Sequence, residues 1–121
     1  YSAIVLPGGG RGTKNLSESK LVQMYLEKFS KQDKLLCAIC AAPSILGKYG
    51  YLIGHKYTCF AGFNEGIAGD FTGNEVEKSG NIITARSMQY SIPFALTIIE
   101  ELLGKEAKEK VQIGLRGLDS K

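Results

Sequence analysis

Two short, wholly apolar runs, Ala3-Ile4-Val5-Leu6 and Leu35-Leu36-Cys37-Ala38-Ile39, each stop at an abrupt turn, with a helix-length amphipathic segment between them. Runs without polar alternation read as strands buried on both faces, and the order strand, helix, strand calls for a parallel pair joined by a right-handed crossover. This pattern confines the chain to the α/β class, a sandwich with a mostly parallel sheet, in which sites form beyond the C-terminal ends of strands. Both ends carry unusual residues: Pro7-Gly8-Gly9-Gly10 after the first run and Cys40-Ala41-Ala42-Pro43 after the second.

The remaining elements follow from periodicity and turn residues. One helix is predicted between the runs, with Asn15 and Ser17 as candidate N-caps, Glu18 in capping-box register with Asn15, and Leu21, Val22, Tyr25, Leu26 and Phe29 on its apolar face. Ala41 to Tyr49 reads as a small-residue helix closed by Gly50, and Lys56 to Phe60 as a strand. Gly62, Gly66, Gly69 and Gly73 punctuate a loop or irregular hairpin that ends in Glu75 to Lys78, and Ser79-Gly80-Asn81 turns into a hairpin partner, Ile82-Ile83-Thr84-Ala85. Ser91 is the expected cap of the strongest helix, with Pro93 in its first turn, an apolar stripe from Phe94 to Leu103, and Gly104 as its stop. A charged helix from Lys105 to about Ile113 and a frayed tail from Arg116 complete the chain. Residues 1–115 are expected to form one domain and residues 116–121 a tail.

Composition removes several functional classes. At 121 residues, 44% hydrophobic and 22% charged, the chain has the profile of a soluble globular domain. The net charge of +3 comes from basic residues interleaved with acids, without the basic, aromatic-rich stripe expected of a nucleic-acid binder. No apolar stretch is long enough for a bilayer and the start does not resemble a signal peptide, so no membrane partner is expected. Three cysteines without a disulfide-rich character fit a reducing compartment, and the cytoplasm is the expected location. The sequence starts at Tyr1 without a methionine, so the native N-terminus is expected to lie elsewhere.

Cys40 carries the main chemical expectation. A side chain at a strand-to-helix elbow is thrust out of the sheet, and the free N–H groups of the new helix favour a thiolate there. The glycine turn after the first run lacks the Gly-Lys-Ser/Thr of a phosphate loop and the dinucleotide spacing; it suits an anion or oxyanion site instead, or a plain tight turn. Cys37 completes a C-x-x-C with Cys40, but it lies inside the strand on the opposite face, where burial makes a thiol inert. Cys59 is either a resolving thiol for Cys40 or, more ordinarily, a core residue. His55, the single histidine, lies in a turn-like segment and would have to fold back over the elbow to form a Cys–His dyad. Cysteine and histidine spacings provide no metal site, and Glu65, Asp70, Glu75 and Glu77 read as solvated.

The ordered combination of Val5-Leu6-Pro7-Gly8-Gly9, Asn15-Leu16-Ser17-Glu18-Ser19, Ala38-Ile39-Cys40-Ala41-Ala42-Pro43, Val76-Glu77-Lys78, Ile82-Ile83-Thr84-Ala85-Arg86 and Phe94-Ala95-Leu96 resembles the ThiJ/PfpI superfamily. The resemblance runs from Tyr1 to about Gly114. It implies a flavodoxin-like three-layer sandwich with Cys40 at a nucleophile elbow, backbone donors at Gly8, Gly9 and Ala41, and Phe60 and Arg86 lining the pocket. It further implies a cofactor-independent homodimer with glyoxalase or deglycase chemistry on methylglyoxal or its protein adducts, or a redox-sensing or chaperone-like role. Peptidase members carry a histidine directly after the cysteine; Ala41 stands there, which disfavours a Cys–His protease. The family also sets a glutamate from its first strand–helix unit against the cysteine. That unit precedes the segment matched by Tyr1, so the resemblance implies either a fragment or a separate N-terminal segment. Two further departures affect the pocket: Phe60 stands where some members have histidine, and Ser87-Met88-Gln89 replaces a common Gly-Pro-Gly.

Overall fold

Ala3–Leu6 forms β1 and Leu35–Ile39 forms β2, paired in parallel from Ala3 opposite Leu35 to Leu6 opposite Ala38. The structure, a computed structural model, describes residues 3–103. Every residue of β2 is buried, as expected of a central parallel strand covered on both faces.

The connection between β1 and β2 holds two helices rather than the single one predicted, α1 (Gly10–Glu18) and α2 (Lys20–Lys31). The chain enters α1 directly from Gly9, at φ 106°, where the Thr13 N–H donates to the Gly9 carbonyl at 2.7 Å. Asn15 and Ser17 therefore lie inside α1, and neither is the predicted cap. Ser19 is the cap: its extended backbone separates the helices, and its hydroxyl accepts the Val22 N–H at 3.3 Å. The apolar face of α2 is also narrower than predicted. Leu26 and Phe29 are buried and Val22 packs beside them, whereas Leu21 and Tyr25 are exposed.

After β2 the chain turns at residues 40–42 into α3 (Pro43–Lys48), two residues later than the predicted start at Ala41. Gly50, at φ 82°, follows it as a stop. The predicted strand at 56–60 is shorter: β3 is Lys56–Tyr57, paired in parallel with β4, Asp70–Phe71. Thr58 leaves the ladder because its N–H goes to the Thr84 hydroxyl at 2.9 Å while its own hydroxyl donates to the Asn74 carbonyl. Segment 75–78, read as the end of a loop, contributes to β5 (Val76–Ser79), which forms the expected hairpin with β6 (Ile82–Ala85). A short 3-10 turn at Met88–Tyr90 precedes α5 (Ser91–Leu103), numbering that turn α4. Ser91 lies within α5 and donates its hydroxyl to the Met88 carbonyl instead of capping the helix. Gly104, the charged helix and the tail lie outside the described residues.

The main sheet has the order β1-β2-β6-β5, parallel except for β5 against β6. On one face, Leu26 and Phe29 of α2 and Ile45 and Leu46 of α3 pack with Leu36, Ala38, Tyr57 and Cys59. On the other, Phe94 of α5 packs with Leu35, Cys37, Ile39, Ile83 and Ala85. This is a mixed, mostly parallel sheet between helical layers, a flavodoxin-like arrangement, with burial of each large apolar side chain contributing about 1.5–3 kcal/mol. It leaves the turns after β1, β2 and β6 side by side at one end of the sheet.

Candidate active site

Cys40 occupies the left-handed region, φ 64°, immediately after β2. A residue with a Cβ adopts that conformation at a cost of about 1–2 kcal/mol, so its surroundings must hold it there. They do so on both sides: the Cys40 N–H donates to the Ala85 carbonyl at 3.0 Å, and the Phe60 N–H donates to the Cys40 carbonyl at 2.7 Å. The elbow is thus pinned between the end of β6 and the segment leaving β3, while the side chain remains half-buried.

Gly8 closes the site from the neighbouring strand. A Cβ at Gly8 would fall 2.5 Å from the Cys40 Cβ, 2.8 Å from the Ile39 carbonyl oxygen and 3.4 Å from the Cys40 Sγ. Only a bare backbone approaches so closely. Among the described residues, the N–H groups of Gly8, Gly9 and Ala41 donate to no backbone carbonyl. Ala41 instead uses its carbonyl, which accepts both the Ser44 N–H at 3.1 Å and the Ser44 hydroxyl at 2.7 Å. Uncommitted backbone N–H groups are the kind of donor that stabilises an oxyanion.

The other two thiols differ from Cys40. Cys37 is fully buried against Ile39, Ile83 and Phe94, and this burial pushes its thiol from the ordinary 9.0 up to about 12. Cys59 is fully buried on the other face, where burial first and the Cys40 charge second push its thiol up to about 11.

His55 lies at the far end of the sheet, where its Nδ1 is 2.9 Å from the Ser79 hydroxyl and its ring abuts Gly80. A Cys–His dyad is therefore not assembled. The Phe60 ring is exposed and meets Phe63 edge-on, with centroids 6.2 Å apart. Arg86 follows Ala85; its guanidinium lies over the Tyr90 ring and donates to the Tyr90 hydroxyl at 2.5 Å and to the Gly73 carbonyl at 3.1 Å. Glu65, Asp70 and Glu75 are exposed, whereas Glu77 is half-buried and accepts the Asn74 amide. Among the described residues no group of three His, Cys, Asp or Glu side chains could hold a metal ion.

Sequence reasoning missed the Ala85 carbonyl and the Phe60 N–H that hold the elbow, the Thr58–Thr84 bond next to it, and Tyr90 beneath Arg86. Thr84 left one signal, being the single hydroxyl residue in the apolar run Ile82–Ala85.

A family model described as the DJ-1/PfpI family matches residues 1–101. The chain belongs to the DJ-1/PfpI family. It is 40% identical over 119 residues to the Parkinson disease protein 7 homolog of Danio rerio, covering 95% of this chain and 63% of that protein. Against Protein dj-1beta of Drosophila melanogaster it is 36% identical over 118 residues, again covering 95% of this chain and 63% of the relative. The crystal structure of Drosophila melanogaster DJ-1beta matches with a TM-score of 0.88 at 36% identity, covering 95% of this chain and 63% of that one. A structure described as Toxoplasma gondii DJ-1, oxidized, matches with a TM-score of 0.86 at 32% identity, covering 95% of this chain and 64% of that one. The chain thus spans less than two thirds of the length of these DJ-1 relatives. Among the described residues, no helix is long and apolar enough to cross a membrane.

Proposed function

We propose that the protein is a cysteine-dependent member of the family that acts on small reactive carbonyls such as methylglyoxal, or on their adducts with proteins, through Cys40. One observation supports this reading above the others: a half-buried cysteine held at φ 64° against a glycine backbone that leaves no space for a Cβ. The Cys40 sulfur adds to the aldehyde carbon, forming the C–S bond of a hemithioacetal, and the carbonyl electron pair moves onto oxygen. Backbone N–H groups of Gly8, Gly9 and Ala41 hold that oxyanion, with Phe60 and Arg86 as pocket walls. Proton transfer between the two carbons falls to the glutamate that the family supplies from the unit preceding the matched segment, and hydrolysis of the resulting thioester releases a hydroxy acid and the thiol. A homodimer without a cofactor, in the cytoplasm, is the assembly and location that go with this reading.

The test is lactate production from methylglyoxal by the full-length protein and by its Cys40→Ser variant. Loss of the activity to the uncatalysed rate is expected, and equal rates would overturn the assignment.

A second reading is favoured by the contrast among the thiols and by the likeness to a DJ-1 described as oxidized: a redox-sensing or chaperone-like protein in which Cys40 is oxidised without turnover. Mass spectrometry after mild peroxide treatment should place the first oxygen on Cys40. Earlier oxidation of Cys37 or Cys59 would contradict it.

A further inference from the structure

Cys59 has no part in the carbonyl chemistry, yet the fold holds its segment against the elbow. The Phe60 N–H donates to the Cys40 carbonyl at 2.7 Å, so the chain at 59–60 runs beside Cys40 at hydrogen-bonding distance. Cys59 is one peptide unit from that hydrogen bond, and disulfides span Cα separations of about 4.4–6.8 Å. The segment is also fixed on its other side, through the Thr58 N–H to the Thr84 hydroxyl at 2.9 Å and the Thr58 hydroxyl to the Asn74 carbonyl at 2.6 Å.

The two thiols differ in access. Cys59 is fully buried, so a dissolved oxidant meets the half-buried Cys40 first. Burial first and the Cys40 charge second push the Cys59 thiol up. Cys37 packs with Ile83 and Phe94 in the cluster that Cys40 also touches, whereas Cys59 packs with Leu36 and Ala38 on the other face and comes beside Cys40 only past the end of β2. Cys37 is therefore the competing partner, and a bridge to it would stay within peptide 35–48.

We propose that Cys59 is the resolving thiol of Cys40, trapping its first oxidation product as a reversible Cys40–Cys59 disulfide. The inference rests on the redox reading of Cys40. In the first step the Cys40 thiolate attacks hydrogen peroxide: an S–O bond forms, the O–O bond breaks, and one oxygen departs as hydroxide, leaving a sulfenic acid. The Cys59 sulfur then attacks that sulfenic sulfur. The S–S bond forms, the S–O bond breaks, and the hydroxyl leaves as water with the Cys59 proton. A cellular dithiol reduces the bridge by exchange, taking up the disulfide itself. Burial keeps Cys59 protonated and away from the oxidant, while its position allows it to intercept Cys40 before a second peroxide makes the irreversible sulfinic acid.

The reduced full-length protein is treated with dilute hydrogen peroxide, quenched with N-ethylmaleimide and analysed without reductant by intact mass and tryptic mapping, alongside Cys59→Ser and Cys59→Ala. The wild type should lose two hydrogens and yield peptides 35–48 and 57–78 joined, with fragmentation placing the bridge on Cys40 rather than Cys37. Both variants should instead gain two oxygens on Cys40. Sulfinic acid forming on Cys40 at the same rate in all three proteins would overturn the resolving role while leaving the redox reading intact. An unoxidised Cys40 in all three would overturn both.

Discussion

The two ends of the four-stranded sheet are built from the same strands and differ in what their turns leave unsatisfied. At one end the β5–β6 hairpin closes through Ser79 and Gly80, and His55 donates to or accepts from the Ser79 hydroxyl at 2.9 Å, so the titratable side chain is already partnered. At the other, Cys40 is held in a left-handed turn, Gly8 lies against it without a Cβ, and three N–H groups donate to no backbone carbonyl among the described residues. A histidine alone therefore does not mark a site. At the Cys40 end the left-handed residue is itself the thiol and the close glycine lies directly against it, whereas at the other end the left-handed Asp33 and the tightly placed Gly69 adjoin no thiol, and the proposed chemistry belongs to the first.

The largest expected effect concerns the two buried thiols, Cys37 and Cys59. Cys37 and Cys59 have folded-state values of about 12 and about 11, above the ordinary 9.0, because burial disfavours the thiolate. The folded chain therefore holds protons that the unfolded chain loses above pH 9. Stability is at its full value below that pH and falls as pH rises through 9 toward 11 and 12, by an amount on the order of several kcal/mol. Urea unfolding midpoints measured from pH 7 to 11 check this, and a flat profile would mean that burial does not hold these two thiols protonated.

Next in size is Gly8→Val, which drives a branched side chain into the Cys40 Cβ and the Ile39 carbonyl. A destabilisation of about 1–3 kcal/mol is expected from overpacking, together with slower alkylation of Cys40. Thermal unfolding and a timed labelling reaction read the two effects separately. An unchanged labelling rate would remove Gly8 from the site.

Cys40→Gly should act in the opposite direction on stability. Glycine relieves the left-handed strain, so the variant should gain about 1 kcal/mol in denaturant unfolding while losing activity on methylglyoxal. A loss of stability would show that the elbow is not strained. The smallest effect belongs to the far end, where His55→Ala removes the bond to Ser79 and should cost about 0.5–1.5 kcal/mol. Its methylglyoxal activity should match the wild type; a large loss would break the contrast between the ends.

Much of this layout was legible in local pattern. The runs Ala3–Leu6, Leu35–Ile39 and Ile82–Ala85 appear as strands because each is short, apolar and delimited by turn residues. The last two are buried throughout, whereas β1, at the edge of the described sheet, buries only Leu6 and exposes Val5, so its expected burial on both faces is not met. Cys40 stood out for the same reason, as the thiol just past a buried strand. The split at Ser19 was less visible, since neither glycine nor proline marks it, and the break depends on one residue in extended backbone. The grip on the elbow was not visible at all. It joins Cys40 to Ala85 and Phe60 through main-chain groups that every residue carries, so side-chain identity holds no record of it. The early exit of the chain from β3 at Thr58 depends likewise on the distant Thr84 hydroxyl.

The central claim is that reactivity is concentrated in Cys40 by the elbow and withheld from Cys37 and Cys59 by burial. Brief iodoacetamide treatment of the native full-length protein, followed by peptide mapping with fragmentation, tests it directly. The account predicts carbamidomethyl on Cys40, with Cys37 and Cys59 unmodified until the protein is unfolded. Labelling of Cys37 or Cys59 at a rate comparable to Cys40, or a Cys40 that resists labelling in the folded protein, would contradict it.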